Sequence, residues 1–167
     1  TESMLKAFGV DVQTDGLDIT LEGGQPLEGC AIDVPADPSS AAFPTVAALI
    51  CEGSQLRLDN IGMNDRRYGL YETLIEMGAD ITVQHERIQG GEKVADLLIK
   101  SSALKGITVP VDRVPSMIDE FPIFAVAASC ATGTTIMHGL AELRVKESDR
   151  LGIMAKGLIA CGVKLEE

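Results

Sequence analysis

The chain has no tryptophan, and its 167 residues include only two tyrosines and four phenylalanines. A core with so few aromatic rings must be filled by aliphatic side chains, which are plentiful because 46% of the residues are hydrophobic. No run of about 18 apolar residues occurs, so the sequence predicts no membrane-spanning helix. The balance of apolar and charged residues excludes an intrinsically disordered chain.

Positive charge is scarce. The chain has 14 Lys and Arg residues against 25 Asp and Glu residues, which gives a formal net charge of −11. Binding of nucleic acid requires clustered cations without a large acidic excess, so we expect no nucleic-acid partner. The N-terminal residues also lack the pattern of a signal peptide.

Metal-site and disulfide patterns are lacking too. The four cysteines form no CxxC pair, and neither histidine lies near one of them in the sequence. We therefore predict no metal site, no cofactor and no disulfide framework. We expect four reduced thiols in a cytoplasmic protein. The cysteines are Cys30, Cys51, Cys130 and Cys161.

The two ends indicate a piece of a longer protein. Residues 4–8 resemble the last turns of an amphipathic helix, and Gly9 follows as a C-cap with no N-terminal cap ahead of the helix. Residues 162–167 alternate and predict a strand with nothing after it. The alternative is a chain trimmed to its ordered residues.

The chain contains an internal repeat. Residues 43–48 and 121–128 each predict an alanine-rich helix with a proline in its first turn, followed by a glycine and a strand. Between them, two alternating stretches are joined by a hairpin signal at residues 89–92. We predict an α/β (α+β) fold of β-α-β-α-β-β units, with one full unit over about 32–101 and a second beginning near residue 106.

Residues 33–38 contain two prolines and two possible helix caps. One interpretation is a hinge or a crossing between domains within these residues. The other is a plain strand-to-helix loop in which Asp37 is the N-cap and Pro38 is the first helical residue. The two interpretations are compatible, and both remain open.

The most informative charged segment spans residues 144–151. Helical spacing back from Leu151 places Glu147 on the line that faces the core, where a carboxylate is costly unless it is paired or faces a cleft. Lys146 and Arg150 share a neighbouring face at a helix N-terminus, and together with the helix dipole they would form an anion site. The alternative is a solvated Glu147–Arg150 ion pair, which contributes little to stability.

Asp119 and Glu120 precede the apolar helix predicted for residues 121–130. The plainer interpretation is a helix cap, since aspartate is favoured at that position. The functional interpretation is a carboxylate in an apolar setting that serves as a general base. The same two interpretations apply to Asp37.

Three segments resemble 5-enolpyruvylshikimate-3-phosphate synthases, also called 3-phosphoshikimate 1-carboxyvinyltransferases. Residues 144–150 match the family signature Arg-Val-Lys-Glu-(Ser or Thr)-Asp-Arg, residues 37–43 resemble its Asp-x-Ser-Ser-Ala segment, and residues 116–123 resemble the segment around its catalytic aspartate. The resemblance covers all of this chain and well under half of a family member. It implies the two-domain enolpyruvyl transferase fold, incomplete here.

The resemblance also implies a division of the chain. Residues 1–34 would end one domain, residues 35–37 would form the crossing, and residues 38–167 would belong to the second domain. The active site of the family lies in the cleft between the two domains.

The family transfers the enolpyruvyl group of phosphoenolpyruvate to the 5-hydroxyl of shikimate 3-phosphate and releases phosphate. By position, the resemblance makes Asp119 the base at the 5-hydroxyl and Lys146 a contact to the acceptor and a proton carrier. Glu147 and Arg150 would serve the phosphoenolpyruvate side. Glu142 falls where some members have an asparagine that touches the acceptor, and Asp37 is a further candidate.

Two alternatives stay open beside this expectation. One is the related transferase that acts on UDP-N-acetylglucosamine, whose typical reactive loop cysteine has no counterpart here. The other is a non-catalytic scaffold of the same fold. Most phosphate-binding residues of the family lie outside this sequence, so we expect the chain alone to be inactive. We expect a monomeric parent, and self-association of the isolated chain through exposed strand edges.

Overall fold

The structure is a computed structural model of the chain, and it describes residues 1–167. Five α-helices and seven β-strands alternate along the chain, with short 3-10 helices between some of them. The α-helices are α1 (Glu2–Ala7), α2 (Pro38–Ile50), α3 (Gly69–Glu76), α4 (Phe121–Ser129) and α5 (Arg150–Ala160). The strands are β1 (Val12–Asp15), β2 (Asp18–Leu21), β3 (Gln55–Gly62), β4 (Asp80–Gln89), β5 (Glu92–Lys100), β6 (Thr108–Val109) and β7 (Ile136–Met137).

The first repeated unit is a three-stranded sheet with two helices. Strand β5 is central and pairs antiparallel with both β3 and β4. The first strand of the unit is reduced to a single parallel bridge between Ala36 and Ile61. With that bridge, the order β-α-β-α-β-β predicted from the sequence is confirmed. The predicted hairpin is also confirmed, because β4 ends at Gln89 and β5 begins at Glu92.

The second unit begins the same order again, as β6-α4-β7-α5. Its strands β6 and β7 pair in parallel over two residues each. The strand predicted at residues 162–167 is wrong. Gly162 turns the chain with a φ of 87°, as expected for a helix C-cap, but residues 163–167 have no strand partner, and a strand requires one.

Helix α2 begins where the strand-to-helix interpretation predicted, which is earlier than the proline at residue 44 indicated. Asp37 is its N-cap and accepts a hydrogen bond from the Ser40 amide at 2.9 Å, so Pro38 is the first helical residue. Pro44 therefore lies in the helix interior, not in the first turn as predicted. The helix tolerates it because Pro44 is on the exposed face, where water can bond the carbonyl that loses its amide partner.

One hydrophobic core spans both units. It contains 21 buried residues, from Ala41 in α2 to Leu143 beyond β7, and most of them are aliphatic as predicted. Helices α2 and α4 contact each other across this core. Residues 1–35 contribute nothing to it, and Leu17 and Val34 in that region are 93% and 82% exposed. No helix combines the length and the apolar character that crossing a membrane would need.

Candidate functional site

Asp119 lies in a 3-10 helix of three residues, 118–120, that leads directly into α4. Glu120 occupies the N-cap position of α4, and no side chain bonds the helix there. The interpretation of Asp119 as a helix cap is therefore wrong, because Asp119 lies inside a 3-10 turn and Glu120 is the residue that precedes α4. The Asp119 carboxylate is 60% exposed and lies 3.1 Å from the guanidinium of Arg150.

Arg150 connects Asp119 to Glu147. It is the first residue of α5, and its two terminal nitrogens bond different carboxylates: Nη1 bonds Asp119 Oδ1, and Nη2 bonds Glu147 Oε2. The hydrogen bond to Glu147 is the main cause that raises the pKa of Arg150. In turn, the backbone amide of Glu147 and then the Arg150 guanidinium lower the pKa of the Glu147 carboxyl.

Glu147 does not face the core, in contrast to the prediction. Its side chain is 76% exposed, and it lies ahead of α5. The helix starts at Arg150 because Asp149 caps it, accepting a hydrogen bond from the Gly152 amide at 2.9 Å. Helical spacing therefore cannot be extended back to Glu147, nor does it place Lys146 on one helix face with Arg150. The Glu147–Arg150 ion pair that we gave as the alternative is present.

Lys146 is held by an acidic neighbour. Its ammonium lies 3.0 Å from Glu142 Oε1, and Glu142 belongs to the 3-10 helix at residues 141–144. That hydrogen bond is the main cause that raises the pKa of Lys146, and the negative charge of Asp119 adds to it. Both effects favour the protonated form of Lys146.

The structure thus brings together five of the six predicted site residues. Three carboxylates and two cations form one cluster, so its net charge is 2 − 3 = −1. The cluster offers a carboxylate that can accept a proton, a protonated amine, and a guanidinium suited to a carboxylate or phosphate. Its members are Asp119, Glu142, Lys146, Glu147 and Arg150.

Asp37 lies outside this cluster. It caps α2 and accepts a hydrogen bond from Arg67 Nη2 at 2.8 Å. Partial burial acts against the shift, but hydrogen bonds from Ser40 and then Arg67 lower the pKa of Asp37. Sequence reasoning did not find Arg67. The signal available was weak, since Arg67 lies in a polar loop 30 residues from Asp37 and carries no motif of its own.

No group of three or more His, Cys, Asp and Glu side chains is placed to hold a metal ion. The four cysteines are exposed and free.

Comparison with known proteins gives one consistent family. The family model described as EPSP synthase (3-phosphoshikimate 1-carboxyvinyltransferase) matches residues 1–167. A protein of Paramagnetospirillum magneticum named 3-phosphoshikimate 1-carboxyvinyltransferase is 60% identical over all of this chain. A protein of the same name from Phenylobacterium zucineum is 54% identical over the same extent. The chain spans only 39% and 38% of the length of these two relatives.

Solved structures agree with the sequence comparison. A structure of EPSP synthase from Acinetobacter baumannii superposes with a TM-score of 0.92 at 56% identity. The match covers 95% of this chain and 36% of that one. A second structure of EPSP synthase from the same organism gives a TM-score of 0.90 at 52% identity.

Proposed function

The chain belongs to the EPSP synthase family, and we propose that it supplies part of the active site of an enzyme that transfers the enolpyruvyl group of phosphoenolpyruvate to the 5-hydroxyl of shikimate 3-phosphate. The observation that carries the proposal is the meeting of Asp119, Lys146, Glu147 and Arg150 at one place, although Asp119 is distant in sequence from the other three. Relatives that are 60% and 54% identical to this chain are named for that reaction.

The proposed chemistry is an addition followed by an elimination. Asp119 accepts the proton of the 5-hydroxyl, whose oxygen bonds the substituted carbon of phosphoenolpyruvate. Lys146 delivers a proton to the methylene carbon, which gives a tetrahedral intermediate. Phosphate then leaves with the proton held by Asp119, and Lys146 takes back a proton from the new methyl group, which restores the double bond. Arg150 binds the anionic donor, because a guanidinium bonds a carboxylate or phosphate through two parallel hydrogen bonds, and Glu147 orients Arg150.

The charge of the cluster supports a site that is completed by other parts of a longer protein. Arg150 and Lys146 are both occupied by carboxylates of this chain, and the cluster carries a net charge of −1. Binding of two multiply charged anions there requires further cations, and this chain spans under two fifths of its relatives. We therefore propose that the chain alone does not turn over substrate.

The exposed N-terminal region supports the proposed division into domains. Residues 1–34 end one domain, residues 35–37 form the crossing, and residues 38–167 belong to the second domain. In support, the shared core begins at Ala41, and apolar side chains such as Leu17 and Val34 lie in water without the rest of their domain. The same exposed surface favours self-association of the isolated chain, whereas we propose a monomeric parent.

We further propose that the parent works in the cytoplasm on two small-molecule substrates, without a metal or an organic cofactor. Four exposed free thiols support a reducing compartment, since exposed cysteines in an oxidising one tend to pair.

The experiment is phosphate release from phosphoenolpyruvate by the full-length parent, with shikimate 3-phosphate or UDP-N-acetylglucosamine as the acceptor. We expect release with shikimate 3-phosphate alone. Asp119→Asn and Lys146→Ala should each lower kcat by about 100-fold or more, because each removes a proton-transfer group. Asp112→Asn is the matched control, since Asp112 is an exposed aspartate of the preceding 3-10 helix, Val111–Ser116.

The outcomes separate the three functions. Release with UDP-N-acetylglucosamine would assign the related transferase instead. A folded parent that releases phosphate with neither acceptor would favour the non-catalytic scaffold. Equal activity in Asp119→Asn, Asp112→Asn and the unchanged parent would remove Asp119 from the mechanism.

A further inference from the structure

We propose that Glu120, Ser39 and Arg67 form a hydrogen-bonded relay that positions Asp119, with Glu120 as the positioning residue. The proposal rests on the proposed role of Asp119 as the base. None of these three residues belongs to the charged cluster at the site.

Glu120 is a carboxylate in an unusual place. It is only 7% exposed, whereas its neighbour Asp119 is exposed. A buried carboxylate costs free energy unless hydrogen bonds compensate the loss of water. The hydroxyl of Ser39 supplies such a bond to Glu120 Oε1. Because the cost of an unpaired buried carboxylate is high, this contact strongly constrains where Glu120 lies.

The relay continues from Ser39 to a cation. Arg67 Nη2 donates to Ser39 Oγ at 2.7 Å and to Asp37 Oδ1 at 2.8 Å. Ser39 therefore accepts from a guanidinium and donates to a carboxylate, which is the arrangement that strengthens both bonds. Ser39 lies in the first turn of α2, so the relay ties Glu120 to the start of that helix.

Fixing Glu120 also fixes Asp119, because the two are consecutive residues of one 3-10 turn. On the N-terminal side, the turn follows Met117, which is fully buried in the core and whose Sδ lies 3.3 Å from Thr73 Oγ1. On the C-terminal side, the relay through Glu120 is the polar anchor. With both sides held, the Asp119 carboxylate has a defined position opposite Arg150.

The geometry predicts which properties of Glu120 matter. The relay needs a hydrogen-bond acceptor of the right length, and the amide oxygen of glutamine is also an acceptor. Glu120→Gln should therefore keep kcat within about threefold of the parent. Glu120→Ala and Ser39→Ala should each lower kcat by about tenfold to a hundredfold, the size expected when a catalytic group is displaced by about an ångström. The KM values should change by less than about threefold, because no substrate contact is removed.

The experiment uses the full-length parent and measures kcat, KM and the thermal midpoint for these variants and for Ser39→Ala/Glu120→Ala. The double variant should be no slower than the slower single variant, because both substitutions break the same link. The matched control is Asp96→Asn. Asp96 is another carboxylate of low exposure, 10%, but it lies in β5 and bonds Arg57, Arg87 and the Asn60 amide. The Asp96→Asn variant should have a lower thermal midpoint than the parent and an unchanged kcat.

Two results would overturn the relay. One is wild-type kcat in both alanine variants while Asp119→Asn remains inactive, which would leave the proposed function intact. The other is additive losses in the double variant. If Glu120→Ala does not fold, Ser39→Ala decides the question, because it removes the relay without emptying the Glu120 position. A fully active Asp119→Asn would instead refute the proposed function itself.

Discussion

Gly69→Ala tests whether the 3-10 helix Val111–Ser116, which precedes Asp119, is held by close packing against α3. Gly69 is the buried first residue of α3. A Cβ atom added there would lie 2.2 Å from Ser116 Oγ, 3.1 Å from Arg113 Cγ and 3.2 Å from the carbonyl carbon of Ser116. The Ser116 hydroxyl is not free to turn away without loss, because it donates to the Arg113 carbonyl at 2.8 Å.

Two opposing effects set the size of the change. Replacing glycine by alanine in a helix normally stabilises it by up to about 1 kcal/mol. Inserting a methyl group into a well-packed contact costs about 1–3 kcal/mol. At 2.2 Å the nearest atom must move, so the second effect outweighs the first. We expect the free energy of unfolding to fall by up to about 2 kcal/mol, which is the packing cost of about 1–3 kcal/mol less a helix gain of about 1 kcal/mol.

The assay is equilibrium urea denaturation of this chain, with Gly157→Ala as the matched control. Gly157 is an exposed residue of α5, and an added Cβ would contact nothing within 4 Å, so this substitution should stabilise by about 0.5–1 kcal/mol. Ser116→Ala in the Gly69→Ala background removes the closest atom and should recover about 1 kcal/mol, a coupling typical of residues in contact. If Gly69→Ala were as stable as Gly157→Ala, the close approach of this 3-10 helix to α3 would be refuted.

Three further perturbations have defined outcomes. Asp96 has a pKa lowered from 3.8 to about 2, first by the Asn60 amide and then by His85 and Arg87. Its contribution to the free energy of unfolding is therefore complete above about pH 4 and is lost as the pH falls through 2. In Asp96→Asn, the urea midpoint should depend less on pH over that range. A pH dependence equal to that of the unchanged chain would contradict the lowered pKa of Asp96. Asp149→Ala removes the cap of α5 and should cost about 1 kcal/mol of unfolding free energy, whereas Asp149→Ser should cost less. Calorimetry of this chain alone with phosphoenolpyruvate should show no binding below millimolar concentration, and tight binding would mean that its own cations suffice.

Sequence patterns predict a turn or a helix boundary well where it depends only on residues nearby in the chain. The hairpin between β4 and β5 needs only the two glycines at residues 90 and 91, both of which have positive φ. The N-cap at Asp37 is likewise set by the residues that follow it. By contrast, a strand at residues 162–167 depends on a partner strand, which alternation in one segment cannot supply.

The site shows the same limit. Helical spacing counted back from Leu151 predicts that Glu147 faces the core, but α5 begins only at Arg150, after the cap at Asp149. The cap fixes Arg150 as the first residue of α5, so the residues ahead of it do not follow helical spacing. The pairing of Asp119 with Arg150 was also beyond pattern reasoning, since 31 residues and a complete α-helix separate them.

The features that the sequence did not predict depend on contacts between distant parts of the chain. Such contacts also indicate where the site is sensitive to substitution. The proposed proton-transfer groups all lie in the second unit, at Asp119 and in the segment ahead of α5. The contacts that hold the Asp119 turn come from the first unit, through Ser39, Gly69 and Thr73. Small changes at such first-unit positions should therefore affect the proposed turnover of the parent more than larger changes on the exposed face of α5. A site assembled in this way is defined by packing between the two repeats as much as by the signature that carries its chemistry.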